Sequence, residues 1–230
     1  MDTNDSLGIQ ILKGVMLIVI LAAIIFFSAG SLDWPEAWIF LGFYLAVIIA
    51  LVIWLGKKDP ALLKERSTAR RKEDVKPWDK LIMQFFSSLF LVTVIVAGFD
   101  AVRFGWTKVP LVLEIAAYVA FIPSGYLIYR TMAENTFLSE MVRIQEERGH
   151  RVCTTGPYRV VRHPMYVGII VFLLFFPLAL GSFYALIPAL VSVILLVLRT
   201  SLEDKTLQRE LPGYKEYVAK VRYKLIPGVW

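Results

Sequence analysis

Cysteine and histidine are almost missing from this chain of 230 residues, which holds one cysteine, Cys153, and two histidines, His150 and His163. A single cysteine excludes an internal disulfide, and two histidines thirteen residues apart argue against a metal centre. No G-x-G-x-x-G occurs, so a Rossmann-type cofactor site has no support. Heptad runs, low-complexity tracts and internal repeats are also absent, and the chain reads as one domain. Matching charges at mid-membrane depth and an inverted repeat are lacking too, which leaves a transporter or a non-enzymatic scaffold unsupported.

Apolar residues, by contrast, are in excess: 57% of the chain is hydrophobic and the mean hydropathy is +0.63. The excess falls in runs long enough to cross a bilayer, namely Ile9–Ala29 (interrupted by Lys13), Trp34–Leu55, Leu81–Phe99, Val109–Tyr129, Tyr166–Leu180 and Ser182–Leu198. The fifth run, at roughly 1.5 Å per residue, reaches only about 22 Å against a hydrocarbon core of about 30 Å. It is therefore expected to form a tight hairpin with the sixth through Gly181, bent near its end by Pro177. The fold class is an all-α polytopic membrane bundle of about six transmembrane helices. Residues 1–130 form its N-terminal helices, and residues 131–230 a functional half with an interfacial segment, the hairpin and C-terminal cytoplasmic helices.

The 25 Lys and Arg residues orient this bundle. With a cytoplasmic N-terminus and six crossings, Lys13, nine residues in 56–80, six in 130–165 and seven from Arg199 onward lie inside, and only Arg103 and Lys108 outside. Both termini are then cytoplasmic, as is Cys153, where thiols stay reduced. A cleavable signal peptide is the competing reading of the first run, but Asp2 and Asp5 outweigh its single lysine. The net charge of +6 and pI near 9.4 are met by anionic lipid headgroups rather than nucleic acid, because the basic residues cluster beside membrane helices. The protein is placed in a bacterial or archaeal cell membrane, or in the endoplasmic reticulum of a eukaryote.

Between the runs, residues 57–80 read as a solvated basic loop with an interfacial helical turn. Asp100 and Arg103, three apart, suit a local ion pair. Glu114 lies about a turn and a half into the fourth helix, within snorkelling range of the boundary, and Pro123-Ser124-Gly125 supplies a kink. From Arg130 to Arg151 apolar and charged residues interleave, which predicts a segment lying in the interface.

The densest chemistry is Gly156-Pro157-Tyr158-Arg159-Val160-Val161-Arg162-His163-Pro164-Met165-Tyr166-Val167-Gly168. Gly156-Pro157 marks a turn, and Pro164 biases His163 toward extended backbone, which sets the imidazole at a break before a helix. Downstream, Arg199 and Glu203 are four apart and share a helical face. The hairpin returns both segments to one membrane surface, so arginine, carboxylates, histidine and tyrosines can converge on a cytoplasmic pocket. Tyr214 and Tyr217 read as packing for the last helix.

Gly156-Pro157-Tyr158, Arg162-His163-Pro164-x-Tyr166-x-Gly168, Arg199-x-x-x-Glu203-Asp204-x-x-Leu207 and Tyr214-x-x-Tyr217 together resemble the isoprenylcysteine carboxyl methyltransferase family and its phospholipid-methyltransferase relatives. The resemblance covers roughly residues 143–228. It implies an integral membrane methyltransferase that uses S-adenosylmethionine, with a lipid-like or prenylated acceptor entering between helices and carboxyl O-methylation as the reaction. By the same resemblance, cofactor contacts fall on Gln145, His150, Arg151, Val152, Cys153, Tyr158, Arg162, His163, Pro164, Met165, Tyr166, Glu203 and Asp204. The acceptor-side arginine falls on Arg199, catalytic together with Glu203. Many members carry Glu-Glu where this chain has Glu203-Asp204, and the Phe-Gly often seen before the tyrosine pair is replaced by Leu211-Pro212-Gly213. A lipid N-methyltransferase and a nicotinamide-dependent sterol-type reductase are the alternatives, separable by cofactor binding. The residue types suit the cofactor: Glu203 for its ammonium, Arg162 or His163 for its carboxylate, and Tyr158 with Tyr166 as aromatic surface.

Overall fold

The computed structural model describes the backbone of residues 3–230 and the side chains from Leu7 onward. Among the described residues the secondary structure is helical throughout, in the order α1 (Thr3–Ala29), α2 (Pro35–Lys58), α3 (Pro60–Thr68), α4 (Pro77–Gly98), α5 (Leu111–Glu134), α6 (Pro164–Ala179), α7 (Leu186–Glu210) and α8 (Tyr214–Lys220). Proline opens α2, α3, α4 and α6, where its missing N–H would have no intrahelical partner and its fixed φ already suits the helix. Asp59 caps α3 by accepting from Leu62 N at 2.9 Å.

Five helices are long and apolar enough to cross a membrane, and α6, with sixteen residues, is a shorter apolar helix. The protein is a multi-pass membrane protein. Pro177 sits inside the last turns of α6, and the chain reverses at Gly181 (φ +73°) into α7. Around this hairpin, α5 packs on α6 and α4 on α7, while α1 bridges α2 and α4. The α5–α6 approach is close because Gly168 has no side chain. A Cβ there would lie 2.9 Å from Ser124 O, and Ser124 Oγ donates to Gly168 O at 2.8 Å.

The interior divides into two apolar clusters. One gathers Ile25, Phe40, Val94, Phe121, Phe176 and Leu180 from the long helices. The other joins Leu55, Leu62, Met132, Met165, Tyr166 and Leu196.

Three local expectations are corrected. Asp100 does not pair with Arg103. It is buried and accepts from Thr107 N (2.8 Å), Thr107 Oγ1 (2.6 Å), Ser182 Oγ (2.7 Å) and Tyr184 N (3.1 Å), whereas Arg103 donates to Phe27 O. A π-helical turn, Phe99–Arg103, turns the carboxylate inward to cap the α6–α7 hairpin. Nor is Arg130–Arg151 a simple interfacial segment. Through Glu134 it belongs to α5, and beyond that it is mostly irregular, with a 3₁₀ turn at Glu146–Arg148, and it buries Met141, Val142, Arg143 and Gln145. The basic 57–80 segment is partly interior as well, since its Leu62, Glu65, Ala69, Val75 and Asp79 are all buried.

Candidate functional site

A cleft open to solvent lies where the start of α6, the end of α7, α8 and the 135–158 stretch meet. The start of α6 supplies His163, Pro164, Met165 and Tyr166, and the end of α7 supplies Glu203 and Leu207. Leu211, Tyr214 and Tyr217 close one side, and Asn135 to Arg143 with His150 to Cys153 the other.

Local sequence rules place these side chains. Gly156 has φ +55°, and a Cβ there would meet Glu134 Cγ at 2.5 Å, so only glycine fits this turn against the end of α5. The 3₁₀ turn that follows buries Tyr158, whose hydroxyl accepts from Asn135 Nδ2 at 2.8 Å and whose carbonyl accepts from Tyr217 OH at 2.7 Å. Pro164 excludes helical backbone at His163, which is not extended as expected but has φ −126° and ψ 61° at the break before α6. Arg162 N and His163 N can therefore pair with Tyr223 O and Lys224 O, both at 3.0 Å, which ties the C-terminal strip to the site.

Beneath the wall, the fully buried Asp204 acts as a hub. It accepts from Arg162 Nε (2.7 Å) and Nη2 (3.1 Å), Tyr214 OH (3.1 Å) and Gln208 Nε2 (2.8 Å), and lies 3.3 Å from His163 Nε2. Arg162 spends its remaining Nη1 donors on Val221 O and Arg222 O at 2.8 and 2.7 Å. The His163 and Tyr166 rings lie parallel, 5.8 Å apart.

A second hub joins the two halves of the chain. Arg199, itself buried, donates from Nε and Nη2 to Asp79 (2.7 and 3.1 Å), from Nη2 to Glu140 O (2.8 Å) and from Nη1 to Tyr166 OH (2.6 Å). The Tyr166 hydroxyl in turn donates to Glu203 Oε2. Asp79 also accepts from Val142 N at 2.7 Å, which anchors the loop over the cavity.

A third group holds the far wall. Arg143 pairs with Glu65 (3.0 Å), Asp74 (2.8 Å) and Glu147 (2.7 Å). Gln145, fully buried, donates to Phe137 O at 2.6 Å and accepts from Arg148 Nη1. His150 stacks on Phe137 at 4.9 Å and its Nδ1 accepts from Gln145 N at 3.3 Å. Burial, reinforced by Arg143 and Arg148, pulls His150 down to about 4, so its ring is neutral near pH 7. Burial pushes Tyr158, Tyr214 and Tyr217 well above the usual phenol value, so all three keep their protons.

Of the residues singled out in the sequence, the cavity wall contains His150, Arg151, Val152, Cys153, Tyr158, Arg162, His163, Pro164, Met165, Tyr166 and Glu203. Gln145, Asp204 and Arg199 stand behind it, engaged by protein groups. Asn135, Phe137, Tyr214 and Tyr217 line the wall without having been singled out as ligands. Asp79 was missed altogether. It sits 120 residues from Arg199 in a loop rich in charge, and its only local mark is its place in the first turn of a helix begun by Pro77.

A profile of the isoprenylcysteine carboxyl methyltransferase (ICMT) family matches residues 119–209. That span runs from within α5 to the end of α7 and holds the Tyr158 turn, the start of α6 and Glu203, while Asp79, Tyr214 and Tyr217 fall outside it. Over residues 119–209 the chain is therefore similar to the isoprenylcysteine carboxyl methyltransferase family, and this match supports a membrane methyltransferase.

Proposed function

We propose that the cavity binds S-adenosylmethionine and that the protein methylates a carboxylate on a lipid-like or prenylated acceptor. The donor set fits the cofactor. Glu203 is the wall carboxylate and is available for an ammonium, and Tyr158, Tyr214, Tyr217 and Phe137 offer aromatic surface to an adenine and a sulfonium. The cation for the cofactor's carboxylate is assigned to Arg151 rather than Arg162. Arg162 is committed to Asp204 and two carbonyls, whereas Arg151 is exposed and engages no carboxylate among the described residues.

S-adenosylmethionine supplies an electrophilic methyl group: its S–CH3 bond breaks as the O–CH3 bond to the acceptor carboxylate forms, and no proton moves. The residues therefore need to orient the partners and exclude water rather than act as acid or base, and orientation alone can supply about 7–11 kcal/mol of such a barrier. Tyr166 is central to this, because its hydroxyl links Arg199 on one side to Glu203 on the other. Arg199 thus acts on the acceptor side through Tyr166 and by its charge, not as a two-pronged clamp, since its Asp79-facing edge is taken. The acceptor's apolar part is assigned to the cluster that the cavity shares at Met165, Tyr166 and Leu138.

The observation that carries this reading is Glu203 held by Tyr166 at a cavity walled by tyrosines, inside the matched span. Isothermal titration of the purified protein with S-adenosylhomocysteine tests it: 1:1 binding is expected, with Glu203→Ala and His163→Ala each weaker by roughly ten- to a hundred-fold. A folded protein that ignores S-adenosylhomocysteine and binds a nicotinamide dinucleotide would refute it.

A further inference from the structure

Around the cavity the arginines are almost all committed. Arg143 is held by three carboxylates, Arg162 by Asp204 and two carbonyls, and Arg199 by Asp79, Glu140 O and Tyr166 OH. Arg148 is taken up by Gln145 Oε1 and Thr136 Oγ1. Arg66 on α3 differs. Partly buried, it makes one hydrogen bond, from Nη1 to Leu138 O at 3.1 Å, and no ion pair among the described residues.

That bond sets the Arg66 guanidinium on the carbonyl of Leu138, one residue behind the cavity that Leu138 lines. Its Nε and Nη2 edge stays free, and this is the edge whose parallel N–H groups match the two oxygens of a carboxylate. Leu62 and Leu63, four and three residues earlier on the same helical face, belong to the apolar cluster with Met165, Tyr166 and Leu138. An uncommitted cation thus sits beside apolar surface that leads to Tyr166. Burial pulls Arg66 below the ordinary arginine value, with Glu140 the largest opposing influence, as befits a guanidinium short of a counter-ion. The neighbouring carboxylates do not relieve it: Glu65 turns to Arg143 and Ser139, and Glu140 to Arg70.

We propose that Arg66 is the residue that receives the carboxylate of the methyl acceptor, an amphiphile whose apolar chain lies along the Leu62, Leu63, Leu138 and Met165 surface. This rests on the methyltransferase reading above and adds to it a binding residue from outside the matched span, in the loop before α4. With Arg199 saturated and Arg151 assigned to the cofactor's carboxylate, Arg66 can accept a two-pronged partner without breaking an existing ion pair. A cation there neutralises the carboxylate while leaving an oxygen lone pair free for transfer.

The test uses the full chain in phosphatidylcholine nanodiscs, with N-acetyl-S-farnesylcysteine and its uncharged primary amide as probes. Wild type should bind the acid more tightly than the amide. Arg66→Gln should weaken the acid by roughly ten- to a hundred-fold, leave the amide and S-adenosylhomocysteine unchanged, and raise KM more than it lowers kcat. Arg66→Lys should restore part of the preference, since it keeps the charge without the fork. A wild type with no acid preference, or an Arg66→Gln that keeps it, overturns the proposal. So does an effect that appears only when phosphatidylglycerol is added, which would assign Arg66 to a lipid headgroup. Should Arg66→Gln lose S-adenosylhomocysteine binding through misfolding, the Arg66→Lys acid-to-amide ratio decides, and an unchanged ratio overturns it. Failure of wild type to bind S-adenosylhomocysteine strikes instead at the methyltransferase reading, independently of the acid-to-amide ratio.

Discussion

Asp79 and Arg199 form a buried two-pronged pair, with side-chain exposures of 0% and 5%. Such a pair is a weak source of net stability, but removing one partner strands a charge and costs about 3–5 kcal/mol. Thermal or denaturant unfolding should therefore show Asp79→Ala as strongly destabilised, and Asp79→Ala/Arg199→Met as less so than the sum of the single changes. Strict additivity would mean that the pair is not coupled. Arg199→Lys should also be far from conservative, because one ammonium cannot serve Asp79, Glu140 O and Tyr166 OH in the observed geometry. Its methyl transfer should fall more than its affinity for S-adenosylhomocysteine; the reverse pattern would place Arg199 against the cofactor. His150 gives a pH dependence. Its value is about 4 in the fold and about 6.5 unfolded, so between these limits the unfolded chain holds the extra proton. The stability that the neutral ring contributes is complete above pH 6.5 and is lost as pH falls toward 4. Melting temperatures across pH 4–7 should slope less for His150→Gln than for wild type, and identical slopes would refute the assignment.

At the scale of elements, the site depends on two close contacts of α5. Gly168 lets α6 lie against Ser124 and Ile128, and Gly156 lets the 3₁₀ turn lie against Glu134. Gly168→Ala should cost about 1–3 kcal/mol by overpacking, read by denaturant unfolding. Gly156→Ala adds backbone strain at φ +55° and should displace Tyr158, so its S-adenosylhomocysteine affinity should fall before its stability collapses. Equal affinity in Gly156→Ala and wild type would mean that Tyr158 is not a ligand. The short α6 belongs to the same logic. Its turn is closed by Asp100, which caps Ser182 and Tyr184 from the end of α4, and the hairpin ends are thereby fixed.

For the whole molecule, we propose from the distribution of basic residues that both termini and the cavity face the cytoplasm. A cysteine placed at Lys72, after Cys153→Ser, should react with impermeant maleimide in inverted vesicles and not in intact cells; labelling from outside would overturn the topology. The same view joins the halves of the chain. Arg70 reaches Glu140, Glu65 reaches Arg143, and Asp79 reaches Arg199 and Val142 N, so α3, the loop before α4 and the first turn of α4 brace the wall of the site from behind.

The sequence by itself determined what depends on neighbours along the chain. Hydrophobic run length gave the spans and the short α6, proline marked helix starts, and Gly156-Pro157 with His163-Pro164 set the turns that present Tyr158 and His163. Tyr158, His163, Tyr166 and Glu203 were legible because a short hairpin returns their segments to one surface. Only the tertiary structure decided which charges are spent and which are free. Arg162, Arg199 and Arg66 look alike in sequence, but Arg162 and Arg199 are held by carboxylates 42 and 120 residues away, whereas Arg66 meets one carbonyl and no carboxylate among the described residues. Asp100 and Arg103 teach the same point, since a spacing of three permits a pair, and a buried hairpin end with unmet donors took the carboxylate instead. Ion pairing at long separation is a property of the packed surfaces, and no local pattern encodes it.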